Sequence, residues 1–201
     1  MGGWSIGFHR EGYRCIGVDV VDVGYPYELL LEDIRYFHAG VYEPQVVVLS
    51  PPCTEFSQLT GLSYKKGQRG PPEPEKGIEL VQQGMRVVKE YNPQFWILEN
   101  VWGAIPFLTP ILGKPMVIAR PWVLWGNLPP MLFESQPTKT KDAKLSHSFE
   151  RNELWKRGGK IGLPEDFPFD PLRSWRRARI PIFLAQTVAK WCIQAAQEIP
   201  A

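Results

Sequence analysis

Val46-Val47-Val48-Leu49-Ser50-Pro51-Pro52-Cys53-Thr54-Glu55-Phe56-Ser57 is the stretch on which the reading of this 201-residue chain turns. Its first four residues are apolar and three of them are β-branched, the pattern of a strand buried in a parallel sheet. Pro51 and Pro52 then stop it, because neither can donate a ladder hydrogen bond and both fix φ. Cys53 therefore falls just past the carboxyl end of a strand, where open α/β sheets place their ligands. A thiol on a stiff loop there can serve as a nucleophile. A free cysteine is more often a small core hydrophobe, so the flanking sequence has to separate the two.

Downstream, residues 60–77 change character to Lys65-Lys66-Gly67-Gln68-Arg69-Gly70-Pro71-Pro72-Glu73-Pro74. This reads as a loop, either a plain linker or a basic, glycine-rich flap over the cysteine. From Ile78 to Tyr91 the apolar residues Leu80, Val81, Met85, Val88 and Tyr91 keep near-helical spacing, and Asn92-Pro93 ends the run. Phe95-Trp96-Ile97-Leu98 is the next buried strand and leads straight into Glu99-Asn100-Val101. Burying an unpaired carboxylate is costly. Glu99 is thus either a turn cap or a desolvated carboxyl whose raised pKa suits it to donate a proton.

Upstream, Gly2-Gly3-Trp4-Ser5-Ile6-Gly7-Phe8 runs into Arg10-Glu11-Gly12. The expected elements are a glycine turn, a short helix to Gly12 and a strand over Tyr13–Val20, with Asp19, or less favourably Asp22, at its end. An acid there suits a nucleoside-binding α/β fold, where it accepts from ribose hydroxyls. Leu29-Leu30-Leu31-Glu32-Asp33-Ile34 repeats the pattern of an apolar run ending in an acid. A glycine turn ordinarily follows a strand, and none precedes this one, so the sheet is expected to lack its first strand.

Residues 106–130 hold six prolines and read as irregular apart from Arg120-Pro121-Trp122-Val123-Leu124-Trp125-Gly126-Asn127, a strand with an arginine at its mouth. Between Lys139 and Arg179, 11 Lys/Arg against 6 Asp/Glu are interleaved with His147, Phe149, Trp155, Phe167, Phe169 and Trp175. That mixture suits a nucleic-acid surface. Pro181 opens a final amphipathic helix through Leu184, Val188, Trp191, Cys192 and Ala195.

Composition bounds the alternatives. The 44% hydrophobic content and the length fit one globular domain with a substantial core. No apolar run reaches membrane-spanning length, and no basic-then-apolar leader opens the chain. Cys15, Cys53 and Cys192 are an odd set without a C-x-x-C pair, which favours a reducing compartment over a disulfide framework or zinc site. The net charge of +2 hides an asymmetry: residues 1–100 carry 9 Lys/Arg against 13 Asp/Glu, and residues 101–201 carry 14 against 8. A basic second half can be a solvated surface or a seat for a polyanion.

The order of these pieces resembles the DNA cytosine-5 methyltransferases. Pro51-Pro52-Cys53 with Phe56-Ser57 is similar to that family's nucleophile motif, and Glu99-Asn100-Val101, 46 residues on from the cysteine, is similar to its Glu-Asn-Val motif. Gly2-Gly3 with Trp4 resembles the tail of the cofactor glycine motif. Asp19 and Asp33 match the acids that contact ribose and adenine. Ile180-Pro181 with Leu184-Ala185 resembles the closing motif, with Ala178-Arg179 in place of the usual Gly-Asn. The likeness covers nearly the whole chain and is closest to short forms carried by phages, with the first strand and most of the glycine motif falling before Met1. The family's Gln-x-Arg-x-Arg motif is absent, which leaves Arg120 as the arginine near the base.

Amino-methyltransferases of the same fold place an aromatic after Ser-, Asp- or Asn-Pro-Pro; here a cysteine follows Ser50-Pro51-Pro52. Carbon 5 of cytosine is a poor nucleophile until a thiolate adds to carbon 6, which is covalent catalysis. The resemblance therefore implies an S-adenosylmethionine-dependent α/β fold, Rossmann-like, with a mostly parallel sheet flanked by helices. It implies methyl transfer to cytosine of double-stranded DNA through a flipped base. Cys53 would be the nucleophile, Glu99 the acid at ring nitrogen 3 and Arg120 a neighbour of the base. Gly2, Gly3, Trp4, Asp19, Asp33 and Pro51 would hold the cofactor, and Ser57, Lys65, Lys66, Arg69, Arg173, Arg176 and Arg177 the nucleic acid. The expected organisation is a catalytic and cofactor core over 1–128, a small basic recognition segment over 129–175, and a helix over 176–201 packing back on the core. A metal-free monomer in the cytoplasm of a prokaryotic or phage-infected cell completes the expectation. Two rivals remain: a non-catalytic nucleic-acid-binding protein of the same fold, separable by cofactor affinity, and an RNA cytosine methyltransferase, separable by offering tRNA against duplex DNA.

Overall fold

The structure, a computed structural model, describes residues 3–22, 24–57, 65, 67, 70–119, 122–128 and 180–198. Helix α1, Gly3–Arg10, leads through a turn at Gly12, whose φ of +91° favours glycine, into β1, Ile16–Asp19. Strand β2, Glu28–Leu31, pairs with β1 in parallel register, Ile16 opposite Glu28 and Asp19 opposite Leu31. Strand β3 is Val46–Leu49, helix α2 is Pro74–Tyr91 and strand β4 is Phe95–Val101. Together they form a parallel crossover in which Val46 pairs with Phe95 and Leu49 with Leu98. Pro74 sits in the first turn of α2, where its missing N–H costs nothing, and Asn92 closes the helix in the left-handed region at φ 45°.

Two expectations need correction here. Residues 106–130 are not irregular before the predicted strand. After a 3₁₀ turn, Trp102–Ala104, residues Ile105–Leu112 form helix α3. Pro106 occupies its first turn, and Pro110, although interior, removes a single hydrogen bond in a helix that ends two residues later. Burial of Leu108 and Ala104 against Val123 and Trp125 holds it in place. The sheet is also mixed rather than mostly parallel. Strands β5, Val117–Ala119, and β6, Trp122–Gly126, pair antiparallel, and β6 pairs antiparallel with β4. The chain steps from Ala119 to Trp122 in too few residues for a parallel crossover.

The resulting order is β3-β4-β6-β5 in one sheet and β1-β2 in a second. One edge of β1 and one edge of β3 therefore have no strand partner among the described residues. Val46–Leu49 are all only half-buried, whereas β4, similarly apolar, buries most of its residues. The described residues belong to one compact unit made of 1–130 and 180–201. Helix α4, Ile182–Glu198, closes it by packing on α1. Gly7 makes the approach possible, because a Cβ there would overlap that of Ala185. Glu11 accepts a hydrogen bond from Gln186 at 2.7 Å across the same interface. No described helix is long and apolar enough to cross a membrane.

Candidate active site

The site begins where β3 and β4 end. One residue beyond the paired Leu49 and Leu98 stand Ser50 and Glu99. The sequence pattern ended the strand near Leu98, but β4 continues through Val101, because β6 offers Glu99, Asn100 and Val101 a fresh ladder at Leu124, Val123 and Trp122. Glu99 is thereby carried into the interior at 9% exposure. Burial pushes its pKa up to about 7, and a hydrogen bond from the Ser50 side chain pulls partly against this. A carboxyl so placed keeps its proton near neutrality and can donate it.

Cys53 comes next, in a turn and half-buried, with its carbonyl accepting from the Phe56 amide at 3.1 Å. Its thiol is raised above its ordinary pKa, first by burial and then by the negative charge of Glu99. Cys53 and Glu99 thus share one electrostatic environment, in which two negative charges are disfavoured and one is tolerated. Two residues missed by sequence reasoning build this corner. Ser50 holds Glu99, and Asn100, 1% exposed, donates from Nδ2 to the Pro51 carbonyl at 3.3 Å while its Oδ1 accepts from Val101 N at 2.9 Å. Prolines cannot donate to a ladder, so a side-chain amide ties the loop down instead. The clue was the asparagine beside Glu99. Phe56, 5% exposed, anchors the far side of the turn in the core with Val81, Leu98 and Leu108.

Asp19 ends β1, exposed, with Oδ1 accepting from Val21 N at 3.2 Å. Asp22 is instead a turn cap, accepting from Gly24 N at 2.8 Å. Asp33 lies just past β2 and is paired bidentately with Arg35, which holds its carboxyl down at about 2. Both Asp19 and Asp33 therefore lie at the carboxyl end of the β1-β2 pair. Gly3 and Trp4 open α1, and the buried indole N–H of Trp4 has no hydrogen-bond partner among the described residues. Carboxylate acceptors at the end of this strand pair fit the hydroxyls and the exocyclic amine of a nucleoside. Pro51 and Ser57 are half-buried and Lys65 is exposed. Gly2, Lys66, Arg69, Arg120, Arg173, Arg176 and Arg177 lie outside the described residues, as does the segment 129–175. All three cysteines are free thiols. No cluster of three or more His, Cys, Asp or Glu able to hold a metal occurs among the described residues.

The family model for C-5 cytosine-specific DNA methylase matches residues 1–106, a span that includes both acids, Cys53 and Glu99. The chain belongs to that family. The chain is similar to Type II methyltransferase M.AplI of Arthrospira platensis, 30% identical over 111 residues that cover 52% of this chain and 30% of that protein. It is also similar to a Frog virus 3 protein named "Probable DNA (cytosine-5)-methyltransferase", 33% identical over 97 residues covering 45% of this chain and 44% of the viral one. The match thus spans less than half of each of these relatives. A crystal structure of a protein encoded within an E. coli prophage aligns at 21% identity over 51% of this chain and 30% of that one, with a TM-score of 0.38.

Proposed function

We propose that this C-5 cytosine-specific DNA methylase chain transfers a methyl group to carbon 5 of cytosine in double-stranded DNA. The observation that carries the reading is the pairing of a strand-end thiol, Cys53, with a buried carboxyl, Glu99, whose pKa burial lifts to about 7. Such a pair matches what cytosine needs. Cys53, as thiolate, adds to carbon 6; the S–C bond forms as the carbon 5–carbon 6 π pair shifts toward carbon 5. The Glu99 proton, directed at ring nitrogen 3, stabilises the negative charge that would otherwise build on the ring. Protonated Glu99 also removes the charge that raises the Cys53 thiol, so the state that donates at nitrogen 3 is the state in which the thiolate forms more readily. Once carbon 5 carries the methyl group, a water molecule takes its proton, the C–H pair re-forms the double bond between carbons 5 and 6, Cys53 leaves with the S–C pair, and Glu99 recovers its proton.

S-adenosylmethionine supplies the methyl group when bound. Asp19 and Asp33 would accept from its ribose hydroxyls and adenine amine, and Gly3, Trp4 and Pro51 would line the remainder, with Gly2 completing the glycine turn. The base must leave the duplex to reach a half-buried cysteine. Arg120 beside the base, Ser57, Lys65, Lys66 and Arg69 near the nucleophile loop, and Arg173, Arg176 and Arg177 in the basic segment are proposed to hold the DNA.

DNA with 5-fluorocytosine at the target site tests this. Fluorine at carbon 5 blocks the final proton loss, so the wild-type chain should be trapped as a covalent band in the presence of cofactor, and Cys53→Ala should give none. Trapping or methylation by Cys53→Ala would remove the nucleophile assignment.

A further inference from the structure

We propose that Arg86 is a positioning residue for the cofactor site, acting through the turn that carries Asp33; this rests on the reading of Asp33 as a cofactor acid. Residues 32–45, between β2 and β3, contain no helix or strand. Backbone groups in such a segment need partners from elsewhere. Asp33 starts a turn there, its carbonyl accepting from the Tyr36 and Phe37 amides, both at 2.9 Å.

Helix α2 grips this turn and the residues just beyond it. One guanidinium nitrogen of Arg86, Nη2, donates to the carbonyls of both Ile34 and Phe37, at 2.9 and 2.7 Å. Its Nη1 donates to Glu90, whose other carboxylate oxygen accepts from Ala39 N at 2.9 Å. The clamp is charged and partly buried, and Phe37 beneath it is 7% exposed. The same helix meets the nucleophile side: Gly84 faces Leu49 of β3, and Gly77 faces Phe56 beyond Cys53. Arg86 thus joins the Asp33 turn to the rod that supports the Cys53 loop. A turn fixed before binding spares the cofactor the entropy of ordering it.

Lysine cannot replace this geometry. It keeps the charge and can still meet Glu90, but only the planar fork spans two carbonyls and a carboxylate at once. Titration of S-adenosylmethionine into the full chain, monitored by amide resonances so that weak and tight binding are both covered, tests the idea. Arg86→Lys should weaken Kd about tenfold or more in a chain that still unfolds well above the temperature of the titration. Asp33→Asn should weaken it as well, and adding Arg86→Lys to Asp33→Asn should cause little further loss, because the group being positioned is gone. Equal Kd for wild type and Arg86→Lys would overturn the proposal and leave the methyltransferase reading standing. A full further tenfold loss in the double variant would reduce Arg86 to a general structural role and overturn it too. Absence of any S-adenosylmethionine binding by the wild type would remove both.

Discussion

At the scale of single residues, Glu99 carries the sharpest consequence. Its folded pKa, about 7, lies above the ordinary carboxyl value of 4.5. The folded state therefore holds the proton more tightly than the unfolded chain between those values. The contribution of Glu99 to stability is greatest at and below the lower one and falls as pH rises toward the upper, beyond which it is level. A shift of this size corresponds to a loss on the order of 3 kcal/mol. Glutamine has the same shape and no proton to lose, so Glu99→Gln should escape the fall. Urea unfolding of wild type and Glu99→Gln at pH 5 and pH 8 should show the variant gaining on the wild type by most of that amount. Methylation should drop in the variant by roughly 100-fold or more, the usual scale for a lost proton donor. A difference in stability that does not change with pH would mean that Glu99 ionises normally, and the proton-donor role would lose its footing.

At the scale of elements, the interface of α1 with α4 brings the two ends of the chain together, and Gly7 sets its spacing. Its absent Cβ would meet not only Ala185 but also backbone atoms, Gln186 N at 2.8 Å and Ala185 C at 2.9 Å, which cannot rotate away. Gly7→Ala should therefore part the helices and lower stability by about 1–3 kcal/mol, the range for an overpacked contact. A thermal melt unchanged from wild type would show that α4 can slide to make room. These helices, like β3, β4 and α2, were legible in sequence because a local signal marked each: a short apolar run, helical spacing, glycines at the two ends of α1, a proline at a start or Asn-Pro at an end. Helix α3 was hidden because three prolines, Pro106, Pro110 and Pro115, outweighed the apolar residues that tertiary packing exploits. Ser50 and Asn100 were passed over because their role comes from a partner some 49 residues away in sequence, Glu99 for one and Pro51 for the other. Arg86 was hidden likewise, since carbonyls at 34 and 37 leave no trace in side-chain pattern.

At the scale of the whole molecule, the division of the sheet matters most. Parallel strands are ordinarily buried on both faces and paired on both edges, yet β3 pairs only with β4 and β1 only with β2 among the described residues. The half-buried state of all four residues Val46–Leu49 agrees with an edge that no described strand covers. An open, apolar strand edge is also a template for unwanted pairing. A strand laid parallel to β3 would satisfy its free edge, and one that also reached β1 would join the two sheets. It would bring Asp19 and the start of α1 into fixed register with Cys53 and Glu99, which the separate ladders do not do. Joining an apolar strand ahead of Gly2 should therefore raise the melting temperature, reduce aggregation and tighten S-adenosylmethionine binding several-fold. Calorimetry on the chain with and without the added strand measures the first and last of these, and light scattering the second. Equal melting temperatures and equal cofactor affinities would show that the free edge of β3 is already satisfied by the chain itself, and that the separation of the two ladders leaves the cofactor site whole.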